Sequence, residues 1–280
     1  MLQVKDFCIF AAVVFAWLFV MPLCFLAVAC GAFWMLCLLP FSFALSRRLV
    51  RQPTVPKSSF LRKLLSAIAW RDWFSATPAP ALFGRSIVCV HPHGLLSLGT
   101  LALVHFVPAS NTVMAVAPIL FYIPLFGLLG PSLGLVPSNK AGLLAVLKSD
   151  RTLLILPGGV PEILCGEAEQ KTLFISPRVG LFKIAFHEGR DLQIIIVDGE
   201  ERMFRSLRLP FLKERMWLSW AFNFPVMLPW FGGCYGSFVP RPHHLAARPL
   251  QLVEVSKAQT FFGLKREYET RLQQSGFRIR

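Results

Sequence analysis

From Phe7 to Ser46 the chain runs forty residues without one formal charge. A helix crossing the hydrocarbon core of a bilayer needs about 20 apolar residues, so the tract has the length of two crossings. Pro22 lies near its middle and predicts a turn over 22–26; Pro40 lies near its far end. The pattern predicts a transmembrane helical hairpin over 1–46. A cleavable signal peptide fits poorly, because its apolar region spans only about 7–15 residues. Next come Arg47, Arg48, Arg51, Lys57, Arg62, Lys63 and Arg71, with no acidic residue among them before Asp72. Basic flanks stay cytosolic, and a hairpin returns the N-terminus to the same side. Over 57–74, Phe60, Leu64, Leu65, Ile68 and Trp73 recur at near-helical spacing among basic residues. This predicts an amphipathic helix on the headgroups, within an interfacial segment covering 47–80.

After residue 80 short apolar runs alternate with helix-like stretches. Arg85–Val90, Thr112–Ala117, Thr152–Leu156 and Leu192–Val197 predict strands, with helices over 94–105, 138–149 and 178–188 between them. This βαβα alternation predicts an α/β domain with a largely parallel sheet over 81–280. Two further uncharged stretches, Thr112 to Asn139 and Met216 to Pro240, are interrupted by prolines at 118, 124, 131 and 137 and at 225, 229 and 240. Regular helix in bare lipid is hard to sustain there. They are expected to be walls of an apolar tunnel or interfacial segments rather than further crossings.

Composition agrees with a membrane setting. Apolar residues make up 55% of the chain and charged residues 16%, against about 45–50% and about 25% in soluble domains. The formal charge is +14, which on so apolar a chain suggests an anionic lipid surface. No Lys/Arg run or known module suggests nucleic acid. The seven cysteines, among them Cys8, Cys24, Cys30 and Cys37 in the apolar tract, form no C-x-x-C pair. A disulfide framework or zinc ribbon does not fit, and a reducing compartment is the simpler reading.

The most informative tetrapeptide is His91-Pro92-His93-Gly94, directly after a predicted strand. A metal pair would need a third ligand, and no motif supplies one. Histidines hydrogen-bonded in a core are a second reading. A general base at the C-terminal edge of a parallel sheet is the third and is favoured, since α/β sites gather there and an imidazole titrates near neutrality. No acidic residue occurs from Trp73 to Ser149, so any carboxylate orienting the base must come from elsewhere in the fold. Glu162, in Pro157-Gly158-Gly159-Val160-Pro161-Glu162 after the run Leu153–Leu156, is the best candidate. Its glycines allow backbone N–H groups to face a ligand or oxyanion; a plain turn with an exposed Glu is the alternative. Gly94-Leu-Leu-Ser97-Leu-Gly99 is not a G-x-S-x-G nucleophile elbow, and Gly232-Gly233-Cys234-Tyr235-Gly236-Ser237 lacks the Lys of a P-loop. Cys234 is read as a small buried residue.

These residues together resemble the type-2 diacylglycerol acyltransferase family, which includes monoacylglycerol and wax-alcohol acyltransferases. His-Pro-His-Gly with its glycine- and leucine-rich sequel is one matching block. Arg71-Asp72-Trp73-Phe74 resembles an R-D-Y-F element, Gly158-Gly159-x-x-Glu162 a G-G-x-x-E block, and Arg178-x-Gly180-Leu181-Phe182-Lys183-x-Ala185 an R-x-G-F-V-K-x-A block. Gly199-Glu200 resembles F-G-E, with Asp198 in place of the aromatic residue and, earlier, Trp73 in place of Tyr. The segment between His-Pro-His-Gly and the Gly-Gly block is short for the family. The family is similar to glycerolipid acyltransferases with an H-x4-D motif, but here the residues five on from each histidine are Leu96 and Leu98.

The resemblance implies a glycerolipid-acyltransferase-like α/β domain that transfers a fatty acyl group from acyl-CoA to a lipid hydroxyl. His93, with His91 beside it, is the expected base, and Glu162 orients it or binds the acceptor. Backbone N–H groups near Gly94 or Gly158–Gly159 hold the oxyanion. Arg178 and Lys183 are candidates for the CoA phosphates, although basic residues so spaced also suit solvent or headgroups. Glu200 joins the substrate-binding set. No metal or redox cofactor is implied, since acyl-CoA is a co-substrate. The expected partners are acyl-CoA, a neutral glycerolipid acceptor, membrane lipids and a further copy of the chain. The expected location is the endoplasmic reticulum membrane, with the catalytic domain cytosolic and lipid droplets as a second site. Diacylglycerol is the expected acceptor; monoacylglycerol, a long-chain alcohol or a lysophospholipid are alternatives, and a non-catalytic lipid-binding scaffold is the competing class.

Overall fold

The computed structural model describes residues 44, 74–76, 86–94, 97, 99–100, 103, 112–122, 127, 130–131, 134–149, 151–165, 172–175, 177–203, 205–206, 211–222, 229–230 and 244–280. The expected hairpin and most of the basic segment lie outside them. Among the described residues, no helix is long and apolar enough to cross a membrane.

Seven strands form the main sheet: β1 (Phe74–Ala76), β2 (Ile87–His91), β3 (Thr112–Val116), β4 (Leu135–Pro137), β5 (Thr152–Ile155), β7 (Leu192–Asp198) and β10 (Leu245–Pro249). Their spatial order is β1-β10-β7-β2-β5-β3-β4. The run from β7 to β4 is parallel throughout. Strand β10 lies antiparallel to β7, and β1 runs parallel to β10. Two short pairs, β6 (Thr172–Leu173) with β11 (Arg278–Ile279) and β8 (Arg205–Ser206) with β9 (Pro229–Trp230), complete the strands. The described helices are α1 (Lys140–Leu147), α2 (Val160–Cys165), α3 (Val179–His187), α4 (Glu200–Met203), α5 (Leu212–Phe222) and α6 (Phe261–Gln274).

The four predicted strands exist, displaced by one or two residues at their ends. Because β1 extends the edge of β10, the sheet starts at Phe74, ahead of the expected boundary at residue 81. The uncharged stretch from Thr112 to Asn139 holds β3, a 3₁₀ turn over Pro118–Tyr122 and β4. Pro118 and Pro137 fit that arrangement. Pro118 opens the turn, and Pro137 sits in an edge strand, where a missing N–H costs no ladder bond.

Strands β2, β3, β5 and β7 are buried almost along their whole length, which is why they read as apolar runs rather than alternations. Alternate residues still face opposite ways. Ile87 and Cys89 of β2, with Leu192, Ile194 and Ile196 of β7, share one core with Leu143 and Val146 of α1, Phe182 of α3, and Leu264, Tyr268 and Leu272 of α6. His91 continues the Ile87, Cys89 series toward that core. Helix α1 is capped by Asn139, whose side chain accepts from the Gly142 amide at 2.8 Å, and α6 by Thr260, which accepts from Gly263 at 3.1 Å. Buried Arg190 donates to the carbonyls of Leu147 and Ser149 at the end of α1, where a cation suits the helix dipole.

Candidate active site

Strands β7, β2 and β5 are adjacent and parallel, so their C-terminal ends lie on one edge. Each is followed there by a sequence singled out above: Gly199-Glu200 after β7, Pro92-His93-Gly94 after β2, and Pro157 to Glu162 after β5. Residues far apart in the chain therefore meet where ligands bind in open α/β sheets.

His93 lies just past the strand, after a cis His91–Pro92 bond, and is half-buried. Its backbone N–H donates to Glu162 Oε2 at 2.8 Å. Its ring Nδ1 is 2.7 Å from the Gly94 carbonyl oxygen. A carbonyl only accepts, so Nδ1 carries the proton and Nε2 the lone pair. The Ser97 hydroxyl stands 3.4 Å from the same Nδ1. Burial lowers the His93 pKa below 6.5, outweighing the opposing pull of the Gly94 carbonyl and the Glu162 charge. The ring is thus neutral at pH 7, with its lone pair on Nε2.

Glu162 lies in the first turn of α2 and is 3% exposed, its second oxygen accepting from the Phe174 amide at 3.2 Å. That oxygen is also 3.6 Å from His91 Nδ1. Burial alone would raise the carboxyl pKa, but His91 and then the His93 amide reverse this, and the group is held below its ordinary 4.5. The carboxylate therefore anchors the backbone of the His-Pro-His-Gly turn and faces the ring of His91. The ring of His93 is oriented instead by its own neighbour's carbonyl.

The glycines have a spatial explanation. A Cβ on Gly158 would overlap the Glu162 carboxyl group, and a Cβ on Gly94 would overlap that of Glu200. Gly159 has φ +58°, in the left-handed region that favours glycine, and the Arg178 guanidinium stands over it. Arg178, at the start of α3, donates to the Gly158 carbonyl at 3.4 Å. Burial lowers its pKa against the pull of Glu162. Glu200 is 1% exposed and accepts from the Gly99 amide at 3.2 Å, so it braces the stretch following His93 from behind. Asp198, at the end of β7, pairs with Arg248 of β10 at 2.7 Å.

His91, His93, Gly94, Gly158, Gly159, Glu162, Arg178 and Glu200 thus gather at one edge. Lys183 does not join them by contact; it is exposed on α3, with its Nζ 5.1 Å from the Phe261 ring centroid, a cation–π contact with α6. Two residues escaped sequence reasoning. Tyr268 of α6 places its hydroxyl 2.7 Å from His91 Nε2 and hydrogen-bonds the Cys89 thiol, whose pKa burial pushes up to about 12. The spacing Leu264, Tyr268, Leu272 marked an inward face of α6, and a buried tyrosine needs a polar partner, so a signal existed. Nothing in the sequence said which partner.

A profile of the diacylglycerol acyltransferase family matches residues 83–235, more than half of the chain and all three edge motifs. The chain belongs to the diacylglycerol acyltransferase family. Relatives agree. Human 2-acylglycerol O-acyltransferase 1 is 27% identical over 144 residues, 48% of this chain and 42% of that protein. Diacylglycerol O-acyltransferase 2B of Umbelopsis ramanniana is 25% identical over 170 residues, 57% and 46% of the two chains. The aligned parts span less than half of either relative. Among solved structures, the 1-acyl-sn-glycerophosphate (LPA) acyltransferase PlsC of Thermotoga maritima has a TM-score of 0.48 at 13% identity, covering 77% of this chain and 75% of that one. The family span ends before β10 and α6, so Tyr268 lies beyond it.

Proposed function

We propose that this chain is a membrane-bound acyltransferase that moves a fatty acyl group from acyl-CoA to the free hydroxyl of diacylglycerol, giving triacylglycerol. The carrying observation is the half-buried, neutral imidazole of His93, with Nδ1–H engaged by the Gly94 carbonyl. That tautomer leaves Nε2 to accept the acceptor's hydroxyl proton as the alcohol oxygen attacks the thioester carbonyl carbon. Collapse of the tetrahedral intermediate breaks the C–S bond, and the imidazolium returns its proton to the departing thiolate. Glu162 and Glu200 act as positioning residues for the turn, and Arg178, whose guanidinium stands over Gly159, is the proposed contact for the CoA phosphates. A relative named for 2-acylglycerol supports a second reading, in which monoacylglycerol is the acceptor.

The setting is the endoplasmic reticulum membrane, with the hairpin of 1–46 as anchor and the catalytic domain cytosolic. Supporting it are the uncharged N-terminal tract and the exposure of Phe211 (72%) and Trp217 (70%) around α5.

Membrane-embedded protein given labelled oleoyl-CoA and a panel of alcohols tests both readings. Triacylglycerol should be the main product. His93→Ala should lower turnover about 10²–10⁴-fold, the usual contribution of a general base. Near-normal turnover by folded His93→Ala would refute the mechanism, and transfer to monoacylglycerol alone would replace the acceptor.

A further inference from the structure

The proposed base is His93, yet the more deeply buried histidine is His91, and the mechanism gives it no proton to carry. Its surroundings form a buried chain of side chains from α2 to α6. Glu162 Oε1 lies 3.6 Å from Nδ1, and the Tyr268 hydroxyl lies 2.7 Å from Nε2. The Tyr268 hydroxyl also meets the Cys89 thiol. Both rings are fully buried, with Tyr268 held edge-on against Phe182 at 5.2 Å between centroids.

The two neutral tautomers of His91 are not equivalent here. With the proton on Nε2, the Nδ1 lone pair would face a carboxylate oxygen at 3.6 Å in a buried site, which is repulsive. With the proton on Nδ1, that N–H faces the carboxylate, and Nε2 accepts from the tyrosine hydroxyl. The carboxylate favours the second arrangement, and the Tyr268 hydroxyl locks it by donating its proton to the Nε2 lone pair, which would otherwise be buried without a donor. The separation from Glu162 is just beyond hydrogen-bond length, so the contact there is electrostatic.

We propose that Tyr268, from a helix outside the family-matched span, is a positioning residue that fixes His91 as its Nδ1–H tautomer and thereby holds Glu162 against the His93 amide. The route is Tyr268 O–H to His91 Nε2, His91 Nδ1–H to Glu162 Oε1, and Glu162 Oε2 to the backbone N–H of His93. The C-terminal helix thus sets the position of the base from about three side chains away. The effect on catalysis rests on the function proposed above; the tautomer does not.

The test uses full-length protein, ¹⁵N-labelled at histidine, in detergent micelles, with His91→Gln identifying the His91 resonances. Wild type should show a protonated Nδ1 and an unprotonated Nε2 at His91. Tyr268→Phe keeps the ring packing and removes only the hydroxyl, so it should mix or invert that tautomer. Turnover should fall about ten-fold, the scale of one buried hydrogen bond, with the apparent KM for acyl-CoA within about two-fold because the donor site is untouched. Tyr268→Leu, which also loses the packing, should lower the melting temperature more than Tyr268→Phe. A protonated Nε2 at His91 in wild type, or an unchanged His91 spectrum in Tyr268→Phe, would overturn the proposal, as would wild-type turnover by that variant. If wild type transfers no acyl group at all, the function proposed above fails, and the tautomer measurement alone decides the role of Tyr268.

Discussion

At the scale of single residues, the two buried carboxylates and the two glycines beside them are one device. Glu162 occupies the space a side chain at 158 would need, and Glu200 the space at 94. Gly158→Ala should therefore push Glu162 off the His93 amide. Overpacking of this kind costs about 1–3 kcal/mol, so the variant should melt earlier and turn over poorly. A Gly158→Ala protein with wild-type melting and turnover would show that the carboxylate is not needed where it sits. On the proposed mechanism the acid side of the pH profile belongs to His93. Its pKa is lowered in the folded protein, so the folded state resists protonation and the base stays active down to a pH below 6.5. Linkage has the same sign: the unfolded chain binds that proton more readily, so this contribution to stability is present above 6.5 and is lost as pH falls through the lowered value. The acid limb of kcat/KM should have its midpoint below 6.5, and a midpoint above it would place the titrating group elsewhere.

At the scale of elements, α3 shows how one motif is divided by its helix. Arg178 and Lys183 stand five residues apart in one family block, yet Arg178 reaches the Gly158 carbonyl at the catalytic edge while Lys183 covers Phe261 of α6. The two should separate in kinetics. Arg178→Ala should raise the apparent KM for acyl-CoA about ten-fold with little change in turnover at saturation, because a phosphate contact binds ground and transition states alike. Lys183→Ala should leave that KM within about two-fold, since an exposed cation–π contact contributes only about 0.5–1 kcal/mol of stability. Equal effects of both on KM would return Lys183 to the donor site.

At the scale of the whole molecule, the proposed acceptor is dissolved in lipid, and a domain bearing its site at one sheet edge has to reach it. The uncharged tract of 7–46 and the basic flank after it are the proposed means. On sealed microsomes, tags at either end of this chain should both be open to protease, and a protected N-terminal tag would mean a single crossing instead of a hairpin.

What the sequence determined by itself follows from local rules. Apolar runs of four to seven residues bounded by glycine and proline mark strands that are buried on both faces, and their alternation with helical patterns implies a parallel sheet whose C-terminal edge carries the chemistry. His91, His93 and Glu162 were legible for that reason, since each ends or follows such a run; Arg178 was legible only through its resemblance to a family block. The tertiary structure alone decided what each of them touches. Nothing in the sequence distinguishes Glu162 bonded to the ring of His93 from Glu162 bonded to its amide, because the difference depends on how β5 sits beside β2. The space for Glu200 behind Gly94 depends likewise on β7 lying on the other side of β2. Tyr268 is 177 residues from His91, and only the packing of α6 on the face of β2 that carries Cys89 and His91 makes them partners. Hydrogen bonds act over about 3 Å, and sequence periodicity fixes which face a residue occupies but not what the fold lays against that face.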